Sequence, residues 1–169
     1  LAGELDWDFL QQVFPPIGDG LWRMHQEGVV HLDVKPANVL LRTSGQPLLL
    51  DFGAAQTMDN DNRFGSFQTL THGFAPPEQY LDGNLGPWTD IYGLAATIYN
   101  CITGNSPPPA LKRRDGASLE KLTVSRSGAY PYTLLKVVED ALSLDQGQRP
   151  HDMHAFLSLA FGASSHPPV

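Results

Sequence analysis

The chain has 169 residues, of which 41% are hydrophobic and 17% are charged, and its 11 basic and 18 acidic residues give a formal net charge of −7. This composition excludes a disordered chain and disfavours a nucleic-acid or anionic-membrane surface, and no apolar stretch is long enough to cross a bilayer. One compact domain is expected at this length. Cys101 is the only cysteine, which excludes an internal disulfide and fits a reducing, cytoplasmic compartment. The basic run Lys112, Arg113 and Arg114 is expected to form a solvated helix face.

The first predicted element is a helix that starts behind Asp6, a typical N-cap residue. Apolar residues then recur at three- and four-residue spacing, which is typical of a helix with one buried face: Leu10, Val13, Phe14, Ile17, Leu21 and Met24. Pro15 and Pro16 are expected to kink or interrupt this helix, because proline lacks the backbone N–H. Gly28 is expected to end it.

Two short apolar segments, 39–42 and 48–50, predict a β-hairpin, since serine, glycine and proline supply turn residues between them. In an antiparallel hairpin the residue before the first strand and the residue after the second lie at the same end. Asn38 and Asp51 are therefore expected to be neighbours.

The second half of the chain is predicted to be mainly helical. Residues 54–73 lack periodicity and predict a long loop. A strongly apolar helix is expected to begin near Thr89, to end at Gly104 and to form the centre of the core. Two further helices are predicted at 133–144 and 152–161.

Three motifs follow one another along the chain: H-x-D-x-K-P-x-N at 31–38, D-F-G at 51–53 and P-P-E at 76–78. In this order they resemble the catalytic loop, the magnesium loop and the end of the activation segment of eukaryotic-like serine/threonine protein kinases, especially bacterial ones. The resemblance continues through G-P-W-T-D-I-Y-G-L at 86–94 to Arg149, so it covers nearly the whole chain.

The resemblance implies a protein-kinase-like α+β fold, and within it the mainly α-helical C-terminal lobe with a small β-hairpin next to the catalytic loop. Residues 1–162 are expected to form this lobe and 163–169 a linker or tail. No glycine-rich loop and no strand lysine precede residue 31, so the N-terminal lobe is expected to be missing and the fragment alone to be inactive. The surface facing the missing lobe, including Leu40 and Phe52, is expected to be exposed and apolar and to favour self-association or partner binding.

The implied reaction is transfer of the ATP γ-phosphate to a serine or threonine hydroxyl of a protein substrate, with ATP and Mg²⁺ as cofactors. By the family's pattern Asp33 accepts or orients the substrate hydroxyl proton, and Lys35 lies against the transferring phosphate. Asn38 and Asp51 are the implied Mg²⁺ ligands. Thr71 matches the threonine that braces Asp33 and Lys35 and favours serine/threonine specificity.

Other motif residues are implied to shape the site. Leu40 matches the position beneath the adenine ring of ATP. Glu78 and Arg149 match a buried ion pair that fixes the activation segment, and Asp90 matches an acid that bonds the catalytic-loop backbone. The packing and loop-holding positions are His31, Phe52 and Gly53.

Leu32 stands where most regulated kinases have an arginine that pairs with a phosphorylated activation loop. Its presence predicts that activity depends only weakly on phosphorylation of Ser66 or Thr69. A Ser66→Ala, Thr69→Ala double variant is therefore expected to keep its activity within about tenfold.

Three interpretations remain open at this level. The first, a catalytic kinase lobe, is favoured by the complete set of implied reactive residues, Asp33, Lys35, Asn38 and Asp51. The second is a non-catalytic pseudokinase or half-kinase docking module, which the fold alone does not distinguish from an enzyme. The third is a small-molecule phosphotransferase of the aminoglycoside or choline kinase type, and Lys35, Thr71 and Glu78 count against it.

Overall fold

The computed structural model describes residues 4–58, 70–81 and 83–162. Its helices are α1 (Trp7–Gln26), α2 (Pro77–Tyr80), α3 (Pro87–Thr103), α4 (Ala110–Arg114), α5 (Leu122–Ser125), α6 (Tyr132–Ala141) and α7 (Met153–Phe161). Its strands are β1 (Val29–Val30), β2 (Val39–Leu41), β3 (Pro47–Leu49) and β4 (Gln56–Thr57). None of the helices in these ranges is long and apolar enough to cross a membrane.

Helix α3 is the centre of the core. Every residue from Thr89 to Tyr99 is buried, which is typical of a helix surrounded by other elements. Helices α1, α6 and α7 pack against it, and α7 also packs against both α1 and α6. Gly93 allows α3 to approach the segment after β1, because a Cβ at this position would lie 3.0 Å from the Val34 carbonyl oxygen. The predicted central helix and the mainly helical α+β architecture are confirmed.

Helix α1 runs unbroken through Pro15 and Pro16, so the expected interruption does not occur. Each proline removes one backbone hydrogen bond, at a cost of about 3 kcal/mol in a helix interior. Phe14, Ile17 and Leu21 on both sides of the prolines are buried in the core, and each such side chain contributes roughly 1.5–3 kcal/mol. Tertiary packing therefore holds a helix that the local sequence disfavours.

The ends of the long helices follow local sequence signals. Asp6 accepts a hydrogen bond from the Phe9 N–H at 2.9 Å, and Gly28, just past the end of α1, has φ +73°. Gly104 ends α3 with φ +74°, the left-handed conformation that glycine adopts readily. These predicted boundaries are confirmed.

Strands β2 and β3 form the predicted antiparallel hairpin, with Val39 opposite Leu49. A second pair was not predicted: β4 lies in the segment interpreted as a loop, and Val29 of β1 pairs with Thr57. Two-residue strands carry no periodicity, and their partners are distant in sequence. Ser66, Thr69 and the expected tail at 163–169 lie outside the described residues, so these expectations stay predictions.

Candidate active site

Asp90 fixes the backbone of the loop at 31–38, which we call the catalytic loop. Asp90 is 1% exposed, and its carboxylate accepts two backbone N–H groups, from His31 on Oδ2 and from Leu32 on Oδ1, both at 2.8 Å. The buried His25 Nε2 lies 2.8 Å from the same Oδ2. Leu32 has φ +68°, a conformation that is costly for a branched side chain. The carboxylate on α3 therefore stabilises a strained turn in the loop.

The His31 ring holds the loop and is not placed for proton transfer. Its Nδ1 accepts the Asp33 N–H at 3.3 Å, and its Nε2 lies 3.2 Å from the Leu50 carbonyl oxygen. One ring nitrogen accepts while the other donates, which is the neutral tautomer with the proton on Nε2. Phe52 packs edge-on against this ring, with a centroid distance of 5.0 Å.

Asp33, Lys35 and Thr71 form one connected polar cluster. The Lys35 ammonium lies 2.7 Å from Asp33 Oδ2 and donates to Thr71 Oγ1 at 2.9 Å. The Thr71 hydroxyl donates in turn to Asp33 Oδ1 at 3.3 Å. The side chains of Asp33 and Lys35 are 20% and 21% exposed, so both are held in place yet can be reached from solvent. The structure thus brings together the three residues that the sequence implied.

Asn38 joins the same cluster through Asp33. Its amide nitrogen donates to the Asp33 carbonyl oxygen at 2.8 Å and to Asp33 Oδ2 at 3.0 Å. Because both bonds come from the nitrogen of a planar group, the amide oxygen is directed away from Asp33. The Asn38 carbonyl accepts the Leu50 N–H at 2.8 Å, which puts Asp51 at the same end of the hairpin.

Asp51 has a left-handed backbone with φ +62°, and its Oδ1 accepts the Gly53 N–H at 3.2 Å. The carboxylate is exposed. Among the described residues no hydrogen bond joins the side chains of Asp51 and Asn38. The carboxylate of Asp51 and the amide oxygen of Asn38 are hard oxygen donors of the type that Mg²⁺ prefers, so this donor set fits the ion.

A cleft of about 230 Å³ opens between these groups. Asp33, Asp51 and Thr71 contribute its polar lining, while Leu70 and Phe74 contribute apolar surface. Asp33 therefore faces a space that can admit a small polar side chain.

Glu78 and Arg149 form a buried bidentate ion pair, with N···O distances of 2.6 and 3.0 Å. The Arg149 guanidinium also donates to the carbonyl oxygens of Trp88 and Ser143 and lies 5.0 Å above the Tyr92 ring. The two carbonyl contacts occupy two of the three donors that Glu78 leaves free on the guanidinium, so the buried charges are largely compensated. The pair joins α2 to the segments around α3 and α6.

Sequence reasoning missed two residues that hold the catalytic loop. One is His25, described above, and the other is Gln79, whose buried amide donates to the Leu32 carbonyl oxygen at 2.9 Å. The Leu32 side chain itself packs with Val30 and Leu85 in a small apolar cluster. The position of Gln79 directly after P-P-E is the only sequence signal that could have pointed to it.

The predicted apolar face is present. Leu40 is 48% and Phe52 is 53% exposed, and Leu41 and Leu50 are also exposed. Beside them a groove of about 250 Å³ runs between α1 and the hairpin. We call this face, defined by Leu40, Leu41, Leu50 and Phe52, the lobe-facing surface, after the position that the sequence predicts for it.

Comparison with known proteins identifies the family. The protein kinase domain family matches residues 3–159. The serine/threonine-protein kinase PknK of Mycobacterium tuberculosis is 30% identical over 163 residues, which are 88% of this chain and 14% of PknK. PknL of the same species is 35% identical over 96 residues, 56% of this chain and 24% of PknL. A solved structure described as the PpkA-294 apo form has a TM-score of 0.78 and 33% identity, and the match covers 92% of this chain and 54% of that one.

The chain belongs to the protein kinase family, and its resemblance to the eukaryotic-like serine/threonine kinases of bacteria is confirmed. Its fold is that of the helical part of a kinase domain with the adjoining hairpin. The chain spans only about one seventh of PknK. Enzymes of this family use ATP and Mg²⁺ in general.

Proposed function

We propose that residues 1–162 form the C-terminal catalytic lobe of a serine/threonine protein kinase, which transfers the γ-phosphate of ATP to serine and threonine hydroxyls of proteins. The observation that carries this proposal is the set of three donors on one carboxylate. Asp33 is bonded by Lys35, Asn38 and Thr71 at 2.7, 3.0 and 3.3 Å and lines the cleft. A docking module has no physical need for a carboxylate held so firmly beside an open cleft.

In the proposed reaction the substrate hydroxyl enters the cleft and is oriented by Asp33. The hydroxyl oxygen forms a bond to the γ-phosphorus while the bond to the leaving ADP oxygen breaks, and the hydroxyl proton passes to Asp33. The Lys35 ammonium lies beside the same carboxylate and neutralises charge on the transferring group. Thr71 keeps Lys35 and Asp33 at a fixed separation, so the two charges are positioned before the substrate binds.

Asn38 and Asp51 are the residues proposed to hold Mg²⁺. When bound, this ion neutralises the negative charge of the ATP phosphates. Asn38 contributes its amide oxygen, which the two bonds to Asp33 direct away from Asp33. Gly53 supports Asp51 by donating its N–H to one carboxylate oxygen.

The lobe-facing surface is proposed to receive the N-terminal kinase lobe, with Leu40 beneath the adenine ring. Its exposed leucine and phenylalanine side chains support this assignment, because large apolar patches on a protein surface mark contact sites. When this surface is uncovered, we expect self-association through it.

The proposal is tested by following phosphate transfer from labelled ATP with Mg²⁺ to a serine- and threonine-containing protein. The natural polypeptide that contains residues 1–169 is compared with its Asp33→Asn variant and with residues 1–169 alone. We expect the variant to be at least about a hundredfold slower, because it lacks the base. An Asp115→Asn variant, which changes an exposed acid, serves as the matched control. Equal rates for the natural polypeptide and Asp33→Asn would instead favour a non-catalytic docking module.

A further inference from the structure

A second groove, of about 360 Å³, lies beside the active site. It is lined by His72, Tyr80, Pro109, Leu111 and Lys112, and we call it the α4 groove. His72 directly follows Thr71, which bonds Asp33 and Lys35. The α4 groove therefore begins one residue beyond the active-site cluster.

The walls of the α4 groove are already in contact with one another. The rings of His72 and Tyr80 are stacked, with an interplanar angle of 7° and a centroid distance of 6.4 Å. Gly73 has φ +90°, and a Cβ at this position would lie 2.7 Å from the Pro107 carbonyl oxygen, so the backbone after Thr71 packs tightly against the segment that leads into α4. A pre-formed groove binds a ligand without a large ordering cost.

Helix α4 is also held in place by hydrogen bonds from Arg113 to the core of the protein. Arg113 points inward and donates to the Leu142 carbonyl oxygen at 2.7 Å and to the Tyr92 hydroxyl at 3.4 Å. This corrects the expectation that the whole basic run is solvated. Of the three basic residues, Lys112 and Arg114 are exposed. Leu111, which precedes them, is 37% exposed.

The charge of this helix differs from that of the chain. The net charge is −7, yet α4 ends in three consecutive basic residues. Within the described residues, the side chains of Lys112 and Arg114 form no ion pair, and this includes the neighbouring Asp115. Lys112 thus lines the apolar groove, and the exposed Arg114 follows two residues later on the same short helix. Both cations are available to an external acidic group.

We propose that the α4 groove docks a segment of the protein substrate in which a large apolar side chain is flanked by aspartate or glutamate residues. This inference rests on the proposed kinase function and names the class of substrate. The apolar side chain fills the groove between Tyr80 and Leu111, and the flanking carboxylates lie near Lys112 and Arg114. Because the groove adjoins Thr71, docking raises the local concentration of the substrate hydroxyl at Asp33.

The first readout is binding, measured by fluorescence polarisation with the natural polypeptide that contains this chain. The probe is a labelled synthetic peptide with one phenylalanine between acidic residues. Two matched peptides carry lysine in place of the acids or alanine in place of phenylalanine. We expect both substitutions to weaken binding at least about fivefold, and added salt to weaken the binding of the acidic peptide.

The variants are Leu111→Ala and the double charge reversal Lys112→Glu, Arg114→Glu. The matched control is the double reversal Arg42→Glu, Lys121→Glu, which changes two exposed cations outside the groove. We expect at least about fivefold weaker binding in both groove variants and no change in the control. In phosphate-transfer assays the groove variants are expected to raise KM for a substrate with the acidic-apolar segment and to leave kcat unchanged.

The binding readout needs no phosphate transfer, so it stays informative if the kinase proposal fails. If the acidic peptide binds the polypeptide but not the groove variants, the docking site is supported, even when the polypeptide transfers no phosphate. Equal binding of the lysine peptide, or equal binding to the groove variants and the control, overturns it. Vesicles of phosphatidylserine that bind through Lys112 and Arg114, with no binding of the acidic peptide, would show a membrane contact instead.

Discussion

Asp90 Oδ1 accepts the backbone N–H of Leu32 at 2.8 Å and so joins the first turn of α3 to the start of the catalytic loop. Leu32 adopts a left-handed conformation, which costs a non-glycine residue roughly 1–2 kcal/mol. The loop keeps this shape because the Asp90 carboxylate and the Gln79 amide bond the N–H and the carbonyl group of the same residue. The core helix thus determines the position of Asp33, one residue further on.

Replacing Asp90 with asparagine is expected to loosen the catalytic loop. The side-chain amide keeps one acceptor oxygen and turns an NH₂ group towards the backbone N–H groups of His31 and Leu32, so at least one buried donor loses its partner. We expect a loss of about 1–3 kcal/mol in the free energy of unfolding and a lower kcat for phosphate transfer. Urea unfolding and steady-state kinetics measure the two effects. An unchanged kcat in Asp90→Asn would contradict this role.

Replacing Arg149 with methionine is expected to destabilise the fold strongly. The change leaves the Glu78 carboxylate buried with only the Thr89 hydroxyl, at 3.3 Å, as a described side-chain partner. Breaking a buried ion pair in this way costs about 3–5 kcal/mol. The matched control is Lys136→Met, which removes an exposed pair with Asp140 and is expected to cost less than about 0.5 kcal/mol. Urea unfolding that gives similar values for both variants would show that burial of the Glu78 pair contributes little.

Thr71 is expected to matter through its hydroxyl group. Thr71→Ala removes the group that accepts from Lys35 and donates to Asp33, so the two charges lose their common brace. We expect kcat to fall by roughly tenfold or more with little change in stability, since Thr71 lies at the cleft. Thr71→Ser keeps the hydroxyl and should restore most of the rate. Equal loss in both variants would assign the effect to the methyl group.

Cys101 is expected to be unreactive in the folded protein. It lies buried in α3, and burial raises the pKa of its thiol to about 11, so almost no thiolate forms near pH 8. A thiol reagent such as Ellman's should modify it only after unfolding in urea, and complete modification of the native chain at the same rate would contradict its burial. Because the folded pKa lies above the ordinary thiol value of 9.0, this group's contribution to stability is fully present below about pH 9 and is lost as the pH rises towards about 11.

Much of the fold could be predicted from local patterns. The spacing of apolar residues predicted α1 and α3, and the turn residues predicted the hairpin, because these signals depend on neighbours within a few positions. The resemblance of 31–38, 51–53 and 76–78 to kinase motifs named the residues of the candidate site. The resemblance could not show which end of the Asn38 amide faces Asp33. In the structure the nitrogen faces it and the oxygen does not.

The sequence by itself determined the family, the order of the motifs and the types of side chain that the site contains. Only the tertiary structure decided which of them touch: Asp90 and Leu32 are separated by 58 positions, Gln79 and Leu32 by 47, and Lys35 and Thr71 by 36. The same is true of the unbroken course of α1 through its prolines and of the inward turn of Arg113. Such features depend on burial and packing between segments that are distant in sequence. The free energy of this packing exceeds the local conformational preferences of the residues, and it produces no periodic pattern in the sequence.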